Sequence, residues 1–160
     1  MSDGTFEDLV QQARQAVQDH QLDAAIELYS QAVMARPDDP SGHEGLATVY
    51  FMRKDFDHAI EQFQRVTQLK PRDPKAFINL GALYNLKEDY KKAADTLRKG
   101  IQRDSKSADA YYNLGIAEKH LGQVAMAISS YRECLRLKPE MAEAHQNIAN
   151  CYVEQKNYKK

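Results

Sequence analysis

One period runs through this chain and limits what it can become. Steps of 34 residues from Ala25 reach Ala59, Ala93 and Ala127. The same step from Leu46 reaches Leu80, Leu114 and Ile148, and from Leu22 it reaches Phe56, Tyr90, Val124 and Tyr158. Pro37, Pro71 and Pro139 keep the register, with Ser105 in the remaining slot. A unit this short cannot bury an apolar face alone, so copies must stack on one another. The periods run over residues 6–39, 40–73, 74–107 and 108–141, with a partial fifth over 142–160, and predict one solenoid domain spanning 1–160.

Each unit holds two helical patterns. Phe77, Leu80, Gly81 and Tyr84 recur at helical spacing on one face, and Ala93, Ala94, Leu97 and Ile101 on a second. Prolines such as Pro74 stand where a first helical turn tolerates them. The expected helical hairpins span Glu7–Ala35, Ser41–Leu69, Lys75–Arg103 and Asp109–Leu137, with a lone helix over Ala142–Gln155. The triplet Asn-Leu-Gly occurs at Asn79–Gly81 and Asn113–Gly115, inside helical patterns where glycine costs about 1 kcal/mol relative to alanine. That loss implies a close backbone approach, which places Gly81 against Ala93 and Gly115 against Ala127. No strand pattern appears, so the fold class is all-α.

Composition narrows the partners. The formal net charge is −1 and the charges are interspersed, which speaks against nucleic acid as a general partner. No apolar run approaches a membrane span, and the acidic start MSDGTFEDL does not resemble a secretory leader. A cytoplasmic location is expected. Cys134 and Cys151 lie in apolar helical surroundings and read as packing residues.

These residues resemble the tetratricopeptide repeat family. Phe77, Leu80, Gly81, Tyr84 and Ala93 match its pattern in the third unit; Ala59, Phe63 and Pro71 match it in the second. Tyr111, Leu114, Gly115, Ala127, Tyr131 and Pro139 match it in the fourth. The first unit departs from the pattern at Gln12, Ala13 and Ala16, and Glu118 stands where a tyrosine is expected. The resemblance implies a right-handed superhelical α-solenoid of stacked antiparallel helix pairs, with the first helices lining a concave groove.

Two residues along a helix correspond to about 200°, so Asn79 points away from the face that carries Gly81. The stripe that follows comprises Lys75, Asn79, Ala82 and Leu86, with Ser41, Gly45, Thr48 and Met52 one unit earlier. The expected peptide-binding groove therefore holds Asn79, Asn113 and Asn147, with Met52, Phe51, Lys75, Ile78, Leu86, Tyr112, Ile116 and His120 on or beside it. Carboxamides donate and accept, which suits a peptide backbone. The row of asparagines resembles the inner surface of the repeat domain of O-linked N-acetylglucosamine transferase, where such side chains hold an extended peptide. A second family mode grips a C-terminal carboxylate of chaperones with lysine, arginine and asparagine. Its lysine position holds Val10, Glu44 or Ile78, its asparagine position Arg14, Thr48 or Ala82, and its arginine position Asn79, Asn113 or Asn147. No frame fits.

Nothing in the sequence points to catalysis, a metal or a cofactor. His43 and His145 occupy the slot of Phe77 and Tyr111, and His120 faces the groove without a partner. The expected function is a non-catalytic scaffold or adaptor that binds a protein or peptide segment. The alternatives are a substrate-recognition piece of a larger enzyme, such as a glycosyltransferase, or a self-assembling repeat protein. Ala144, Ile148, Cys151 and Tyr152 suggest an apolar C-terminal edge that supports weak self-association.

Overall fold

The computed structural model describes residues 2–158, with side chains over 5–157. Among the described residues there are nine α-helices and no strand. They are α1 (Ser2–Gln18), α2 (Leu22–Ala35), α3 (Pro40–Met52), α4 (Phe56–Leu69), α5 (Pro74–Leu86), α6 (Tyr90–Arg103), α7 (Ala108–His120), α8 (Val124–Leu137) and α9 (Ala142–Tyr158). The fold is an all-α helical repeat. Two compact units divide the chain, Met1–Pro71 carrying α1–α4 and Arg72–Lys160 carrying α5–α9. In the first unit each helix packs on the next, and α1 also touches α3. The second unit repeats that scheme, with α5 touching α7.

The turn inside each hairpin is built the same way four times. His20, Lys54, Glu88 and Gly122 all have positive φ, between 58° and 78°. The amide of the following residue reaches back over the turn: Asp55 to the Tyr50 carbonyl at 2.9 Å, Asp89 to Tyr84 at 2.9 Å, and Gln123 to Glu118 at 2.9 Å. A second bond, such as Glu88 N–H to the Asn85 carbonyl at 3.0 Å, completes a left-handed helix stop that satisfies otherwise orphaned carbonyls. Aspartates then start two of the second helices, α4 and α6, where α2 and α8 have Gln21 and Gln123 without a side-chain cap. Asp55 accepts from the His58 amide and Asp89 from the Lys92 amide. The next slot in this series is Lys156, which stays helical, so α9 runs on to Tyr158 rather than ending at Gln155.

Within the hairpins the small residues have a specific neighbour. A Cβ on Gly81 would lie 2.5 Å from Leu97 Cγ, and one on Gly115 would lie 2.6 Å from Tyr131 Cε1. The space is thus filled by a large side chain of the second helix, not reserved for Ala93 or Ala127 as the pattern suggested. Burying a leucine contributes about 1.5–3 kcal/mol, more than the roughly 1 kcal/mol lost to helix propensity. The degenerate first hairpin has Ala13 and Ala16 buried in a core with Phe6, Val10, Tyr29 and Leu46.

Glu118 is 2% exposed in the tyrosine slot of the fourth repeat. A buried carboxylate is costly unless paired and hydrogen-bonded. Arg98 Nη2 lies 3.4 Å from Glu118 Oε2, and the Ser130 hydroxyl donates to Oε1. One repeat later the same two slots hold Arg132 and Tyr152, and Arg132 Nη2 donates to the Tyr152 hydroxyl at 2.7 Å. The arginine slot thus serves either partner. Cys134 and Cys151 are free and buried, and burial pushes both thiols up from their ordinary pKa.

Candidate inner-face binding surface

The expected groove residues divide between the two units, and the structure treats them differently. In the second unit Lys75, Ile78 and Asn79 line a cleft of about 340 Å³ together with Asp73, Asp104 and Asp109. Asp73 caps α5 by accepting from the Lys75 amide at 3.0 Å, and Asp104 accepts from the Lys106 amide at 2.9 Å. Asp73 therefore stands where the start of α5 places it, and Asp104 where α6 ends. Asn79 is exposed and lines this cleft. Ile78 is partly buried because it leans on the backbone of Gly100, where a Cβ would meet Ile78 Cγ1 at 3.1 Å.

The other two asparagines are partly engaged. Asn113 Nδ2 donates to the Asp109 carbonyl one turn earlier at 2.9 Å, and Asn147 Nδ2 approaches the Tyr112 hydroxyl at 3.5 Å. Tyr112 itself tilts against Tyr131, and Tyr112 and Ile116 pack onto the core formed by α7–α9. The sequence pattern leaves His120 in the groove without a partner, but the structure gives it two. Its ring stacks on Tyr90 at 4.2 Å, and Nδ1 donates to the Ile116 carbonyl at 2.9 Å. Leu86 remains 53% exposed at the end of α5.

The first unit holds Phe51 and Met52, both exposed at the end of α3, with the Phe51 ring 5.9 Å from Phe56. Its own cleft lies elsewhere. It has a volume of about 410 Å³ between α1 and α3, and Arg14, Tyr29, Glu44 and Thr48 line it. None of these four was singled out as a binding residue by the pattern of asparagines. Thr48 belongs to the inner stripe, but Arg14 and Tyr29 sit on different helices of the degenerate first repeat. Only their meeting in space marks them.

The histidines that occupy aromatic slots act as packing residues. His43 Nε2 donates to the Pro37 carbonyl at 2.7 Å, and His145 Nε2 donates to the Pro139 carbonyl at 2.7 Å. The two bonds are equivalent positions of the repeat, and each ties a first helix to the loop before it. Among the described residues no group of His, Cys, Asp or Glu could hold a metal ion. No described helix is long and apolar enough to cross a membrane.

Profiles described as tetratricopeptide repeat match residues 10–74, 74–107 and 108–141. No curated protein sequence matches the chain. Among solved structures, one described as MamA is 25% identical with a TM-score of 0.86, covering 89% of this chain and 84% of that one. MamA 41-end from Desulfovibrio magneticus RS-1 is 21% identical with a TM-score of 0.90, covering 97% and 88%. YrrB, described as a protein of this repeat class with an unusual peptide-binding site, is 19% identical with a TM-score of 0.81, covering 93% and 77%. In all, 379 structural chains match, and a fold shared that widely does not by itself select a ligand.

Proposed function

Because the chain belongs to the tetratricopeptide repeat family, we propose that it is a non-catalytic interaction module that binds an extended peptide or protein segment on the inner faces of its first helices. The observation that carries this reading is the cleft at Asn79. There an exposed carboxamide with donor and acceptor free stands beside Lys75, Ile78 and a rim of aspartates. A peptide main chain offers the complementary pair of groups, and the partly exposed isoleucine and Leu86 offer apolar contact. The likeness to YrrB, whose description names a peptide-binding site, supports the same class of partner.

The test is peptide binding to the full chain and to a variant carrying both Asn79→Ala and Asn113→Ala. Each hydrogen bond contributes about 0.5–1.5 kcal/mol net, so affinity for a groove-bound peptide should fall by roughly 5- to 150-fold. Most of that loss should come from Asn79, because the Asn113 amide group already bonds its own helix. Helical content and melting temperature should stay unchanged. Equal affinity for both proteins would remove the asparagines from the binding surface.

A further inference from the structure

The slot that holds Asn79, Asn113 and Asn147 holds Gly45 in the first unit. A Cβ there would lie 2.5 Å from Tyr29 Cζ, deep in the ring. Tyr29 occupies the same repeat slot as Tyr131, which fills the space over Gly115 in its own hairpin. In the first hairpin Ala13 takes that glycine slot, and the Tyr29 ring, in the same core as Ala13, lies against Gly45 of α3. The two exchanges are complementary, alanine for glycine at one slot and glycine for asparagine at the other. Their result is a cleft of about 410 Å³ with an aromatic floor, where unit two presents a carboxamide.

The charges in this cleft do not cancel. The Glu44 carboxylate is taken by Lys70, whose Nζ donates at 3.0 Å. Arg14 lies against the Tyr29 phenol, near enough to act on it as a charge and as a hydrogen-bond donor. Burial nevertheless keeps that phenol above its ordinary pKa, so it is a neutral partner. A guanidinium has five N–H donors in a planar fork that matches a carboxylate. One neutral oxygen leaves most of the fork available, and Arg14 forms no ion pair among the described residues. Val10 and Val49 supply apolar walls beside it.

We propose that the α1–α3 cleft is a carboxylate pocket, which takes an aspartate or glutamate side chain of a bound peptide on Arg14, with the peptide's neighbouring carbon chain against Val10 and Val49. This rests on the peptide-binding reading above and names the chemistry of one part of that surface. It differs from the three-helix chaperone clamp, because the cation stands in that clamp's asparagine position. Tyr29 acts as a positioning residue, holding the fork over the cleft.

The test pans a random dodecapeptide library displayed on phage against the full chain and against Arg14→Gln. Arg14 is exposed, so the variant should melt as the parent does. Peptides selected by the parent should be enriched in Asp and Glu, and the enrichment should vanish with Arg14→Gln. For one selected peptide, synthesised and labelled, Arg14→Gln should weaken binding about 10- to 100-fold, in keeping with a charge-assisted pair. Changing the peptide's acidic residue to its amide should cost the same in the parent and nothing more in Arg14→Gln. Tyr29→Phe should give a smaller loss, and the amide resonances of Gly45 and Thr48 should shift on titration. Selected peptides without an acidic preference, or a preference that Arg14→Gln leaves intact, would overturn the carboxylate pocket while sparing the peptide-binding reading. A library that yields no binders would overturn both.

Discussion

The α1–α3 cleft of the first unit and the α5–α7 cleft of the second share three repeat positions, Ser41 with Lys75, Glu44 with Ile78 and Gly45 with Asn79, and put them to different chemical ends. In the second, Asp73, Asp104 and Asp109 line the cleft with Lys75 and Asn79. In the first, Gly45 replaces the asparagine, Tyr29 forms the floor, and Arg14 is the charge without an acidic partner among the described residues. The backbone frame is shared, down to the left-handed residue in every hairpin turn. What differs is the side chains set on that frame, Gly45 with the Tyr29 ring and Arg14 in one cleft and Asn79 with Lys75 and the aspartates in the other. A repeat framework thus sets where a ligand can lie, and a few side chains set which ligand it is.

Exchanging the two slots is the strongest way to break this contrast. Gly45→Asn drives a Cβ into the Tyr29 ring and should destabilise the protein by about 1–3 kcal/mol, the usual cost of overpacking. It should also close the first cleft to acidic peptides. Asn79→Gly meets no such obstacle and should cost only a few tenths of a kcal/mol, roughly the difference in helix propensity. Thermal unfolding of both variants checks the asymmetry. Equal losses would mean that the ring does not depend on Gly45.

The hairpin turns sharpen the opposite side of the comparison, since both units share them. Lys54 in the first unit and Glu88 in the second carry side chains at φ of 62° and 61°, where an L-residue is strained. Lys54→Gly and Glu88→Gly should each stabilise by about 0.5–1 kcal/mol, and denaturant midpoints should rise together. Gly122→Ala should do the reverse by a similar amount, although nothing lies within 4 Å of the added Cβ. A rise in one unit without the other would show that the turns are not equivalent.

The smallest effect concerns the last helix. The sequence suggested an apolar edge of Ala144, Ile148, Cys151 and Tyr152, but Ala144 and Cys151 are buried in the core with α8. Tyr152, at 41% exposed, and Val153, at 62%, are the large apolar residues that α9 shows to solvent. Tyr152 is in addition held by Arg132. Self-association through this edge is accordingly expected to be weak, and Tyr152→Glu should reduce it while Asn79→Ala does not. Sedimentation velocity over a range of concentrations distinguishes the two variants.

The helices and their order were legible because each depends on near neighbours. Phe77, Leu80 and Tyr84 announce a buried stripe within one turn or two, and Asp73, Asp89 and Pro74 mark where helices start. The positive-φ slot was not legible, since His20, Lys54, Glu88 and Gly122 share no chemistry that composition could reveal. Only their common distance from the helix end unites them. The partner of Gly81 was also misplaced, because small residues suggest a close approach without saying that Leu97 fills it.

By itself the sequence determined the all-α repeat, its 34-residue period and the stripe that carries Asn79, Asn113 and Asn147. Those follow from hydrogen bonds and apolar spacing that act within a few turns of the chain. Tertiary structure alone decided that Asn113 and Asn147 are partly engaged, that Glu118 is held by Arg98 and Ser130, and that Tyr29 crosses to Gly45 beneath Arg14. A side chain turns toward whichever neighbouring helix leaves it room. That room is set by residues on other helices, such as Ala13 and Gly45, which no local pattern connects.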